Sequence, residues 1–419
     1  MYKKVTASVP APAEILSSLR YLLRWIPIAT LVGLLGGTAS AVLLVSLEWA
    51  TATRESHKWI IALLPFAGLL VGYLYQHFGN SVAGGNNLIL DEIHADTDSQ
   101  QKIPLRMTPL ILLATFLSHL FGGSVGREGT AVQTGASLAD QLTQPFRLDA
   151  RSRRVLLMAG ISAGFGSVFG TPLAGAFFGI EVLTLGSISY EAIAPCFLAA
   201  FLGDLTTRAW GVHHKLYRVT DIPHITLVGL VYAALAGVIF GLVALTFART
   251  MHAVSNIFKR AISWPPMRPF VGGIIVAGAV FAIGTTKYIG IGETTTLAAF
   301  NSNLPAYDWV LKLVFTALTL GSGFKGGEVT PLFFIGATLG NSLSHILPLP
   351  PSLLAGMGFA AVFAGASNTP IASSLMAMEL FGTEAGTYAA IACVFSYLFS
   401  GHSGIYHSQR ITSRKHLGS

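Results

Sequence analysis

Apolar residues come in long unbroken stretches along this chain rather than in short alternating ones. WIPIATLVGLLGGTASAVLLVSL (25–47), MTPLILLATFLSHLFGG (107–123), ITLVGLVYAALAGVIFGLVALTF (225–247) and VGGIIVAGAVFAIG (271–284) stand out. Each is about long enough to cross a hydrocarbon core roughly 30 Å thick. A membrane β-barrel would instead show segments of about ten residues with alternating polarity. The pattern predicts an all-α, polytopic membrane protein. Many of the apolar segments are interrupted by Gly or Pro. Irregular backbone at membrane depth is tolerated only where protein buries it or a wet cavity lines it. Broken helices meeting inside the membrane are therefore expected.

The chain also repeats itself. GREGTAVQTGASL (126–138) is echoed by GGEVTPLFFIGATL (326–339), and GTPLAGAFFGIEVL (170–183) by NTPIASSLMAMELF (368–381). Glu128 falls opposite Glu328, Thr130 opposite Thr330, and Glu181 opposite Glu379. Two matches in one order, at offsets near half the chain, predict two related halves of about 22–215 and 222–410. Transporters built from such repeats hold their substrate near mid-membrane where the repeats meet.

Composition sharpens this picture. Only 11% of the 419 residues are charged and the mean hydropathy is +0.62, against about 25% charged in a soluble domain. The formal charge of +7 does not call for nucleic acid. Its Lys and Arg cluster at the N-terminus (Lys3, Lys4, Arg20, Arg24), in RLDARSRR at 147–154, in FKRAI at 258–262 and in the tail (Arg410, Arg414, Lys415), as cytoplasmic anchors do. Both termini are then expected on the cytoplasmic side of an inner membrane. Residues 1–21 would be an N-terminal segment, 22–410 the membrane core and 411–419 a short tail. No cleavable signal peptide is expected. Trp25, Trp49, Trp59, Trp210, Trp264 and Trp309 mostly flank apolar runs, as interfacial anchors do. Cys196 and Cys393 are far apart in apolar segments, so neither a disulfide nor a metal site is expected, and no cofactor is implied.

The chemistry concentrates at GGSVGREGT (122–130). A helix opened at Gly129–Thr130, and another at Val329–Thr330, would present free N–H groups and the positive end of a dipole. That is an anion site made of backbone and hydroxyls. Glu128 would stand in it. An ionisable residue inside a membrane is a functional hypothesis by default. Its carboxylate can occupy the anion's place as a tethered competitor and leave once protonated. The bland alternative is an ion pair with Arg127.

These residues resemble the CLC family of chloride channels and anion/proton antiporters. GREGTAVQ looks like the family's gating-glutamate motif and GGEVTP like its second signature, with Val329 where many members have an aromatic. TPLAGAFFGIE, NTPIASS and GHSGIYHSQ (401–409) also fit. The resemblance spans about residues 22 to 410 and implies a homodimer with one pore per subunit, each of two inverted halves. It implies proton gating by Glu128, anion binding by Gly126, Arg127, Gly129, Thr130, Val329, Thr330 and Tyr406, and Glu328 as a supporting acid.

Three departures narrow it. The serine-bearing motif of chloride-type members is replaced by AGGNNLILDEIH (83–94), where Asn86, Asn87, Leu88 and Ile89 either face the anion or, for the asparagines, cap a helix beginning near Leu88. Val182 stands where chloride/proton antiporters have the second of two acids, so Glu181 and Glu379 are read as satisfying helix ends. Glu-Val-Thr-Pro replaces the aromatic signature. Together these resemble the bacterial fluoride/proton antiporter branch. Fluoride holds its water tightly, and a site rich in Thr, Asn and Tyr donors can return close hydrogen bonds. The expected function is fluoride export in exchange for protons, and so fluoride resistance. The alternatives are a chloride/proton antiporter or a passive channel for fluoride or chloride. No HExxH or GxSxG pattern supports an intramembrane enzyme.

Overall fold

The computed structural model describes residues 12–95, 101–215 and 217–415. Lys3, Lys4, part of the 94–104 connection and the last four residues of the tail lie outside them. Among the described residues are sixteen α-helices. The first eight are α1 (Pro12–Ser56), α2 (Leu64–Phe78), α3 (Asn86–His94), α4 (Met107–Leu120), α5 (Glu128–Asp140), α6 (Ala150–Phe169), α7 (Pro172–Glu181) and α8 (Ile193–Ala209). The second eight are α9 (Leu227–Ala261), α10 (Met267–Ile283), α11 (Glu293–Ala298), α12 (Asp308–Ser322), α13 (Val329–Leu343), α14 (Pro351–Ser367), α15 (Pro370–Phe381) and α16 (Thr383–Phe399). The order corresponds helix for helix. α1 and α9 are the longest of each set, and the repeated motifs open α5 and α13, then α7 and α15.

Two of the four apolar runs fold differently from expectation. α1 and α9 have 45 and 35 residues and are long enough to span. The other two runs become α4 and α10, with 14 and 17 residues, or about 21 and 26 Å at 1.5 Å per residue. Glycines stop both: Gly122 turns the chain at φ +93 after α4, and Gly284 ends α10 in the left-handed region. Other spans come from Lys58–Phe78 and Tyr190–Ala209.

α5 packs on α6 and α13 on α14, with glycines at both seams. A Cβ on Gly135 would lie 2.3 Å from the Gly160 carbonyl oxygen, and one on Gly336 would lie 2.0 Å from that of Gly358. The apolar faces merge into one core around Phe165, Phe178, Phe333, Phe359 and Phe363.

α7 and α15 are tied across the repeat. The Glu181 carboxylate accepts from the backbone N–H of Ile371 and Ala372, at 3.0 and 2.8 Å. The Glu379 carboxylate accepts from Leu173 and Ala174, at 2.9 and 2.8 Å. Each glutamate satisfies the orphan donors at the start of the other half's helix. This is the helix-end role read for both. After α16 the chain returns as a strap: β2 (Arg410–Ile411) pairs in parallel with β1 (Thr184–Leu185).

Some surface expectations change. Trp25 is buried in the core rather than at an interface. Arg153 is not a lipid anchor. Its guanidinium grips Asp140 with Nε and Nη2, at 2.7 and 2.8 Å, and reaches Glu92 at 3.2 Å. Trp49, Trp59, Trp210 and Trp264 are exposed on the surface.

Candidate anion and proton site

Two loops meet at the start of α5 and α13. The N–H of Gly126 donates to the Gly327 carbonyl at 2.6 Å, and that of Gly327 to the Gly126 carbonyl at 2.8 Å. This antiparallel bridge holds the first turns of the two helices side by side. It demands glycine: a Cβ on Gly327 would sit 2.7 Å from the Gly129 nitrogen, and one on Gly126 would sit 2.8 Å from Glu128 Oε2.

Glu128 is the first residue of α5 and is fully buried. Its carboxylate crosses to the other repeat and lies on the N-terminal turn of α13. Oε2 accepts from the Thr330 backbone N–H at 3.0 Å and from Arg127 N–H at 3.2 Å. Oε1 accepts a short hydrogen bond from the Thr330 hydroxyl. Arg127 Nε stands 3.5 Å away, so the ion pair with Arg127 exists but is the longest of these contacts. A carboxylate on a helix N-terminus, held by an N–H and a hydroxyl, takes the position an anion would take.

The remaining candidates divide. Val329 is buried in the first turn of α13. Gly129 brings its backbone against Gly327 and Asn86: a Cβ there would lie 3.1 Å from Gly327 Cα and 3.2 Å from Asn86 Nδ2. The Thr130 hydroxyl is turned to Thr115 on α4, at 2.7 Å, rather than to Glu128. α3 begins at Asn86, two residues earlier than expected, and Gly85 at φ +57 is its cap residue with no side-chain cap bond. The asparagines therefore do not cap it. Asn86 Oδ1 is buried without a hydrogen-bond partner, while Asn87 Oδ1 accepts from Ser408 N–H at 3.1 Å and so fixes the segment carrying Tyr406. Leu88 and Ile89 pack into the apolar core. Tyr406 is buried against Phe178, ring centroids 6.4 Å apart, and lies within electrostatic reach of Glu328 and Glu128. Glu328 is the cap residue of α13 without a cap bond, and Lys325 is its charged neighbour.

Sequence reasoning missed two segments. A small cavity beside Glu128 and Thr330 is lined by His214, Lys215, Tyr217 and Glu293 as well as Arg127. Its volume of about 20 Å³ is room for one water-sized species. Arg127, His214, Lys215 and Glu293 also line a vestibule of about 620 Å³. The vestibule is walled by the end of α1 and by residues 211–215 and 286–294. Lys287 in that wall is paired with Asp308, while Arg127 and Lys215 line both the vestibule and the small cavity that holds Glu128. GVHHK (211–215) and GIGETTT (290–296) are polar runs beside glycines, a weak signal for loops that line a site.

The profile of the family described as voltage gated chloride channel matches residues 67–401. The chain belongs to the CLC family. A CLC relative named chloride/fluoride channel protein, from Pseudomonas syringae pv. tomato, is 54% identical over 96% of this chain and 90% of its own length. A solved CLC-type fluoride/proton antiporter is 34% identical, with a TM-score of 0.89 over 96% of this chain and 100% of that one. A cyanobacterial Cl-/H+ antiporter, at 20% identity and a TM-score of 0.76 over 91% and 94%, shares the fold. The helical architecture is thus that of a CLC protein.

Proposed function

We propose that this CLC protein exports fluoride in exchange for protons across the bacterial cytoplasmic membrane, working as a homodimer with one pathway per subunit and both termini in the cytoplasm. One observation carries the reading: the Glu128 carboxylate occupies the start of α13, bonded to the N–H and hydroxyl of Thr330. Ionised, it competes with any anion for those donors. Protonated, it loses that attraction and gives them up. Fluoride and proton then exchange at one place, and an inward proton gradient drives fluoride out. The likeness to a solved fluoride/proton antiporter over the whole chain supports the choice of ion.

A passive channel is the second reading. Val182 is apolar and buried where antiporters carry a relay acid, and the Pseudomonas relative is named a channel. Purified protein in fluoride-loaded liposomes, with fluoride and pH electrodes outside and chloride as the control, separates the two. The expected result is that outward fluoride flow draws protons inward, uphill, and that chloride does not. Glu128→Gln should abolish the proton movement. Fluoride leaving with no proton movement would make the protein a channel. Equal movement of chloride would overturn the selectivity.

A further inference from the structure

The vestibule shares Arg127, His214, Lys215 and Glu293 with the small cavity beside Glu128, and its wall residues 211–215 come shortly before the start of α9. The proton must also leave at the other end, and there the chain has Val182 in place of an acid. α9 is 35 residues long, so its His252 lies roughly 38 Å along the helix from Leu227, toward Lys259 and Arg260. By the positive-inside rule that end is cytoplasmic.

At that place the structure brings two histidines together. The rings of His252 and His407 stack with centroids 3.9 Å apart and planes at 39°. His252 Nε2 lies 3.3 Å from the Gly404 carbonyl oxygen, so that nitrogen carries the hydrogen and Nδ1 is left as the basic one. His407 is exposed to solvent, and it directly follows Tyr406, which is buried within reach of Glu128. The same short segment thus touches the pathway at one residue and solvent at the next. Two stacked imidazoles repel if both are charged, so the pair accommodates one proton more readily than two. The charged groups around it are Lys259 on α9 and, beyond that lysine, Lys325 and Glu328 on the loop entering α13.

We propose that the His252–His407 pair is the proton-accepting station at the cytoplasmic mouth, taking the proton released by Glu128 on the Tyr406 side and passing it to water. The step balances simply: the carboxylic acid becomes carboxylate, an imidazole nitrogen becomes N–H⁺, and the imidazolium returns its proton to solvent or buffer. It rests on the antiport reading above. Burial and the neighbouring His252 and Lys259 hold the His407 imidazole below its ordinary value of about 6.5, so transport should depend on internal pH on the acid side of that value.

The test uses full-length protein in liposomes, with internal pH varied from about 5.5 to 7.5 around that value. Wild type and Glu128→Gln are run first. Wild type without proton movement would sink the antiport reading itself. Given coupling in wild type, His252→Gln/His407→Gln should slow exchange roughly five-fold, flatten the internal-pH profile and leave the fluoride-to-proton ratio unchanged, as expected when a transfer step and not its driving ion is removed. Imidazole buffer loaded at high concentration inside should restore most of the rate, which no structural defect would allow. His407→Gln alone, at an exposed position, repeats the measurement if the double variant does not fold. An unchanged pH profile, or slow exchange that imidazole does not rescue, would overturn the proposal.

Discussion

At the scale of single residues, Thr330 has more to do than its place in a short motif suggests. It gives Glu128 both a backbone N–H and a hydroxyl. Removing the hydroxyl but keeping the shape, as in Thr330→Val, leaves the N–H in place and takes away one charge-assisted bond. In the proposed exchange fluoride uses the same hydroxyl, and such a bond to a charged group contributes about 1.5–3 kcal/mol, so at a pH low enough to protonate Glu128 and remove its competition the apparent fluoride KM should rise at least about ten-fold. Thr330→Ser should recover most of the loss. Fluoride-electrode kinetics on the two variants check this. Glu128 and Thr330 were both legible in the sequence, because an acid among glycines in an apolar chain has few other uses. The engagement of Thr130 with Thr115 was not, since the two hydroxyls meet only once α4 and α5 pack. Nor was the role of Asn87. Its partner, Ser408, lies 321 residues away.

At the scale of elements, the information sits in helix starts. Gly and Pro in the repeated motifs mark where α5, α7, α13 and α15 begin, and local chemistry is enough to read that. It was not enough to set the length of α4 and α10, because apolar composition continues through the glycine turns that end them. The crossed glutamates make a test at this scale. Glu181→Gln and Glu379→Gln each replace an anionic cap on the opposite half by a neutral one. Each should lower thermal stability in detergent by about 1–2 kcal/mol. Together they should exceed the sum, since one seam between α7 and α15 carries both. Proton coupling per fluoride should stay at the wild-type ratio, because both carboxylates are engaged by backbone N–H groups of the opposite half. A change in that ratio would show that Glu181 handles protons after all.

For the whole molecule, close packing of the paired helices is the condition that lets the two loops touch. A Cβ at Gly336 would meet a carbonyl oxygen at 2.0 Å, an approach that only separation of α13 from α14 can relieve. Gly336→Ala should destabilise the protein by about 1–3 kcal/mol or more. It should also impair transport, because α13 carries Thr330. Gly278→Ala meets nothing within 4 Å and is the matched control. Size-exclusion melting curves of the two variants give the comparison. The existence of two halves could be read from repeated words. Their joining through a backbone bridge and two exchanged glutamates could not, since each of those bonds spans about half the chain.

That exchange has a consequence for ancestry. Each half offers one glutamate and one uncapped helix start, and neither half satisfies its own. A half-length chain alone would leave both groups unmet. Two identical copies facing each other would make the same pair of bonds twice, with nothing left over. The contact between α7 and α15 is thus what a pair of separate chains would have needed before their genes were fused. Fusion would have joined an assembly that was already complete, and after it the two copies were at liberty to differ, one supplying the Glu128 carboxylate and the other the Thr330 donors that receive it.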